Sequence, residues 1–153
     1  MVKTLFDVGL NALSDTFESM IFQEVLPIDD SVSSWSELPS VASSVEVTTP
    51  IQGKITFIVP NTLLDNIVDD LYDFEFEDNS QVRKDLINEL VNTIAGNIIQ
   101  GINKKCNFKI GLPKFSETTL PAQHQTGDLL VFQLNELPCA LKLDGDFISL
   151  AGG

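Results

Sequence analysis

The stretch VRKDLINELVNTIAGNIIQGINKK, Val82 to Lys105, decides the fold; it lies within the longest proline-free span and has the most regular apolar spacing in the chain. At ~100° per residue, Leu86, Ile87, Leu90, Val91, Ile94, Ala95, Ile98, Ile99 and Ile102 sweep an arc of roughly 220°. That is wider than the apolar stripe of an ordinary surface helix. The spacing therefore predicts a helix buried on most sides. What remains is a narrow strip on which Asp85, Glu89, Asn92 and Gly96 stack at helical steps, within about 60° of one another. Gly101 and the cations Lys104 and Lys105 mark the C-terminal end, where positive charge meets the negative end of the helix dipole. Asp78, Asn79 and Ser80 are candidate caps at the other end.

Upstream of this helix, Pro60-Asn61-Thr62 reads as a helix start with Asn61 as cap, leading into LLDNIVDDLYDF with Leu63, Leu64, Ile67, Val68 and Leu71 on one face. The acids from Asp65 to Asp78 read as a solvated face and loop. Before it, Val41 to Val59 carries period-two alternation, Val45 and Val47 and then Ile55, Phe57 and Val59. Pro50-Ile51-Gln52-Gly53 lies between them as the turn of a β-hairpin. Residues 3–25 read as a first amphipathic helix, and Pro27 with IDDSVSS opens a polar loop that runs past Trp35 and Pro39. Downstream, Phe108 and Ile110 alternate, LPAQHQTG is turn-rich, and short strands are expected at Asp128 to Leu134, Pro138 to Leu143 and Asp146 to Leu150. Asp144-Gly145 is expected to turn between the last two. The order predicts one α+β domain over 1–153, long helices packed on a mainly antiparallel β-sheet.

Composition narrows the function. Hydrophobic residues make up 43% and charged residues 20% of the chain, an ordinary globular balance. No run of about 18 apolar residues reads as a membrane span, and the N-terminal pattern carries Asp7, Asp15 and Glu18, unlike a signal peptide. Cys106 and Cys139 are then expected as reduced, partly buried thiols and the protein as cytoplasmic. The formal net charge of −13 disfavours nucleic acid and anionic membranes as partners. The lone histidine, His124, sits among loop signals, and neither cysteine stands beside a nucleophile motif. No phosphate-binding glycine loop, zinc spacing or Glu-x-x-His pair is present, so neither a metal nor another cofactor is expected on this chain.

Attention returns to the strip. Asn92 in mid-helix costs a few tenths of a kcal/mol relative to a better helix former, and Gly96 costs about 1 more. Their place on the one polar line suggests close approach of a partner. The segment DLINELVNTIAGN resembles the signature of the CheC, CheX and FliY chemotaxis phosphatases: Asp or Ser, three residues, Glu, two residues, Asn, with a glycine a turn later. Asp85, Glu89, Asn92 and Gly96 occupy those positions. The N-terminal FESM, the hairpin strand GKITFIVP and the order of elements agree with it. A single motif makes the chain more similar to CheX than to CheC, and the first helix has Asp7 and Asn11 but no Glu-x-x-Asn.

The resemblance implies a CheC/CheX-like fold and a phosphatase acting on the aspartyl phosphate of a CheY-like response regulator. It implies that Asn92 orients the attacking water, that Glu89 pairs with the regulator's active-site lysine, and that Asp85 and Gly96 support the contact. It places the Mg2+ on the regulator and implies a homodimer paired through sheet edges. Two alternatives stay open. One is a non-catalytic binding module docking a response regulator or a flagellar switch component; the other is a ligand-binding or scaffold domain with a merely solvent-facing strip.

Overall fold

In the computed structural model, the structure describes residues 5–20, 25–27, 38–49, 52–72, 80–102, 109–120, 129–134 and 137–145. Among these residues three helices, α1 (Leu5–Met20), α2 (Asn61–Tyr72) and α3 (Ser80–Ile102), accompany seven strands. These are β1 (Val25–Pro27), β2 (Leu38–Thr49), β3 (Gly53–Pro60), β4 (Lys109–Ile110), β5 (Lys114–Leu120), β6 (Leu129–Leu134) and β7 (Leu137–Gly145). They form one sheet in the order β1-β6-β7-β3-β2, with β4 and β5 sharing the far side of β2. Every pairing is antiparallel. The α+β class and antiparallel sheet read from the sequence are those observed.

Period-two alternation sorts the sheet into two faces. Val41, Val45 and Val47 of β2 turn inward with Ile55, Phe57 and Val59 of β3, Leu130, Phe132 and Leu134 of β6, and Cys139, Leu141 and Leu143 of β7. All three helices lay their apolar faces on this side. Phe17 of α1 meets Phe57 of β3 with ring centroids 5.8 Å apart. Gly9 lets α1 come down on β6, since a Cβ there would lie 2.7 Å from Leu130 Cδ1. On the opposite face Ala42, Ile58 and Ala140 make a smaller buried cluster joined by Leu38.

Several boundaries differ from the sequence reading. Val25, expected at the end of the first helix, starts β1 and pairs with Leu134; its apolar side chain fits either period, and pairing with β6 decides. Pro39, expected in a loop, lies in β2 opposite Thr119. Strand β2 thus begins at Leu38, and α3 begins at Ser80. β5 was not foreseen as a strand. Asp144 and Gly145 do not form a free turn: they end β7, paired with Lys54 and Gly53. Gly145 adopts φ +80°, with Gln52 O 2.7 Å from where a Cβ would stand, so glycine is needed at this position. Asp65 is no idle surface acid, for its Oδ1 lies 2.8 Å from Arg83 Nε. Trp35, Asp78, Asn79, Lys104, Lys105, Cys106, His124 and the expected strand from Asp146 to Leu150 lie outside the described residues.

Candidate functional site

The arc predicted for the long helix is the buried one. Leu86, Ile87, Leu90, Val91, Ile94, Ala95, Ile98 and Ile99 are all buried, none more than 3% exposed. Asp85, Glu89 and Asn92 are exposed and Gly96 is half-buried. The four stand on one line of α3, on the side away from the sheet, as the ~100° step requires. The structure thus brings together every residue singled out from the motif.

The line is dressed differently along its length. At its N-terminal end Gln81 Nε2 donates to Asp85 Oδ1 at 2.8 Å, holding that carboxylate along the helix. Thr93 Oγ1 donates to the backbone carbonyl of Glu89 at 3.0 Å. Among the described residues, no hydrogen bond or ion pair engages the side chain of Glu89 or Asn92. An unengaged carboxylate and an unengaged amide one turn apart present an acceptor and a donor-acceptor to whatever approaches.

The flanks of the helix are tied down. Towards α2, Arg83 pairs with Asp65 and its Nη2 donates to Asn61 Oδ1 at 3.1 Å. Towards β5, Lys84 Nζ lies 5.3 Å from the centroid of the Phe115 ring. Towards β2, the buried Ser43 hydroxyl donates to Asn88 Oδ1 at 2.6 Å. Towards α1, Asn97 Nδ2 donates to Thr16 Oγ1 at 3.0 Å, while that hydroxyl donates to Ala12 O at 2.7 Å. A groove of about 550 Å³ runs between α1 and α3, with Asn11 and Asp15 on one wall and Asn97 and Gln100 on the other. Sequence reasoning passed over Asn88 and Asn97, because their partners are remote in the chain and no local pattern marks them.

Among the described residues there is no group of three or more His, Cys, Asp or Glu side chains placed to hold a metal ion. Cys139 is a free thiol wholly buried in β7, and burial pushes its pKa up to about 12, so it is protonated and unreactive near neutrality. No described helix is long and apolar enough to cross a membrane.

Residues 41–133 match the family model described as "Chemotaxis phosphatase CheX". The chain belongs to the CheX family. Solved CheX structures share its fold. CheX from Vibrio vulnificus superimposes with a TM-score of 0.70 at 11% identity, covering 92% of this chain and 97% of that one. CheX from Desulfovibrio desulfuricans gives 0.69 at 16% identity, with 91% and 97% covered. CheX from Borrelia burgdorferi, solved as a CheX-CheY-BeF3-Mg2+ complex, gives 0.60 at 16% identity, with 92% and 96% covered. No curated protein matches the chain. At these identities the structural likeness speaks for the fold, and the stretch of this chain that matches the family model contains the whole of α3.

Proposed function

We propose that this CheX-family protein is a phosphatase that stimulates hydrolysis of the aspartyl phosphate of a CheY-like response regulator. The observation that carries the reading is the outward line of α3, where Glu89 and Asn92 are exposed, one turn apart and unengaged by other side chains. Support for the partner comes from the Borrelia burgdorferi relative, which is seen with CheY.

The chemistry asks little of this chain. Water attacks the phosphorus in line with the bond to the aspartyl oxygen; that P–O bond breaks, leaving a carboxylate and inorganic phosphate. The transition state is loose and its charge spread, so positioning counts for more than covalent participation. Asn92 supplies an amide that accepts from the water and donates to an oxygen at the centre, and needs no particular protonation state. Glu89 pairs with the regulator's lysine and holds the docked helix in register. Asp85, fixed by Gln81, stands at the rim of the contact. Gly96 spares the partner a side chain near the C-terminal end of the line. Mg2+ belongs to the regulator side, where it neutralises charge on the phosphoryl group.

The test is the lifetime of the aspartyl phosphate in response regulators from the same organism, with and without the protein. Acceleration by wild type and its disappearance in the Glu89→Ala/Asn92→Ala double variant is the expected result. Binding of a phosphorylated regulator with no change in its lifetime would instead identify a non-catalytic docking module, and the enzymatic reading would fall.

A further inference from the structure

Thr16, Ser40 and Ser43 are the buried polar side chains of the described chain. The Ser40 hydroxyl turns back to Leu38 O at 2.9 Å. The other two both meet asparagines of α3, Ser43 with Asn88 and Thr16 with Asn97. Nine positions separate those asparagines, which at ~100° per residue puts them on opposite flanks of the helix, about 180° apart. Asp85, Glu89, Asn92 and Gly96 all fall within the outward half between them. One tie reaches the sheet through β2; the other reaches α1.

This arrangement supplies what the apolar arc does not. Burial of Leu, Ile, Val and Ala side chains is non-directional and tolerates a small roll of the helix against the core. Hydrogen bonds at 2.6 and 3.0 Å do not, because they weaken steeply with angle and distance. A roll in either direction stretches a tie on one flank or the other. Placing a hydroxyl in the core of β2 is costly unless it is paired, and Asn88 is what pairs it. We infer that the Ser43–Asn88 and Thr16–Asn97 pairs are positioning residues that fix the rotation of α3 about its own axis, and through it the aim of Glu89 and Asn92. The functional half of this inference rests on the phosphatase reading; the mechanical half stands on the helix alone.

Ser43→Ala is the sharpest probe: Ser43 is 0% exposed and so out of reach of any partner, and alanine keeps nearly its volume. In the folded variant the turnover number of stimulated dephosphorylation should fall about tenfold, as expected for a misaimed water-positioning group, while KM stays near wild type. Ser43→Thr, which keeps a hydroxyl, should recover the rate. Nuclear magnetic resonance should show millisecond exchange appearing at the amides from Asp85 to Gly96 in Ser43→Ala and not in Ser43→Thr. Thr16→Val repeats both measurements from the opposite flank and serves if Ser43→Ala does not fold. Wild-type turnover together with unchanged α3 amides in either variant overturns the inference. A wild type with no phosphatase activity but new exchange in Ser43→Ala would sink the enzymatic reading and leave the rotational lock standing.

Discussion

α1 and α3 lie side by side, and both carry acids and amides on their outward surfaces: Asp7, Asn11 and Asp15 on one, Asp85, Glu89 and Asn92 on the other. The difference between them is in spacing and in confinement. On α1 the polar positions recur every four residues and share the surface with exposed Glu18 and Ser19, the pattern of a solvated face. On α3 the carboxylate and the amide stand three apart, and the core takes so much of the circumference that they have little company. Acids and amides on a helix are common; a pair in which each side chain is left unengaged on a helix tied at both flanks is a more demanding feature. The comparison teaches that, on the reading proposed above, the scaffold's grip on the helix counts for as much as the residue types in setting the α3 line apart from that of α1.

The contrast can be broken most directly with alanine. Asn92→Ala should lower stimulated dephosphorylation about 100-fold, the scale on which losing one preorganised polar group acts, whereas Asn11→Ala should leave it within about twofold of wild type. Equal losses in both would mean that α1 shares the active surface. A smaller effect is expected at the carboxylate. Glu89→Gln should cost about tenfold in kcat/KM, or ~1.4 kcal/mol, mostly through KM and less at high salt, because it removes half of the charge pair proposed across the interface. Asp15→Asn serves as the matched control on α1 and should leave both constants unchanged.

The smallest effect near neutrality belongs to a group on neither surface. Cys139 has its pKa raised from 9.0 to about 12 by burial, so in the folded state it holds a proton that the unfolded chain releases above pH 9. Its contribution to stability is complete below that pH and is lost as pH rises towards 12, since the unfolded state then binds fewer protons. Denaturant midpoints of wild type should therefore fall with rising pH more steeply than those of Cys139→Ala, with no such divergence below pH 9. Parallel curves across that window would show the thiol to be better solvated than its burial implies.

How much of this was legible in the chain varies with the distance over which each feature is decided. α3 could be read from its own residues, because nine apolar side chains at helical spacing leave no other economical arrangement, and the motif line follows from the same period. The hairpin of β2 and β3 was legible for a similar reason. β5 was not: in KFSETTL only Phe115 turns an apolar ring towards the helices, and the polar run from Ser116 to Thr119 is what an edge strand carries to discourage pairing with other chains. β1 was missed, Val25 being read as the end of the first helix and Pro27 as the start of a loop, because three residues are too few to declare a period. The hydroxyl ties of Ser43 and Thr16 depend on which strand and which helix lie beside α3, and that is settled only by the folded topology.

That topology also sets a timetable. β7 is the last strand of the described chain, yet it sits in the interior of the sheet, joining β3 on one side to β6 and β1 on the other. A nascent chain emerging from the ribosome can zip β2 to β3 early, but it cannot unite the two halves of the sheet until residues 137–145 arrive. Until then α1 lacks the strand whose Leu141 side chain lies beneath Gly9. Contacts so distant in sequence make for slow folding and a long exposure of apolar strands. Truncation inside β7 should accordingly divide the molecule rather than trim it.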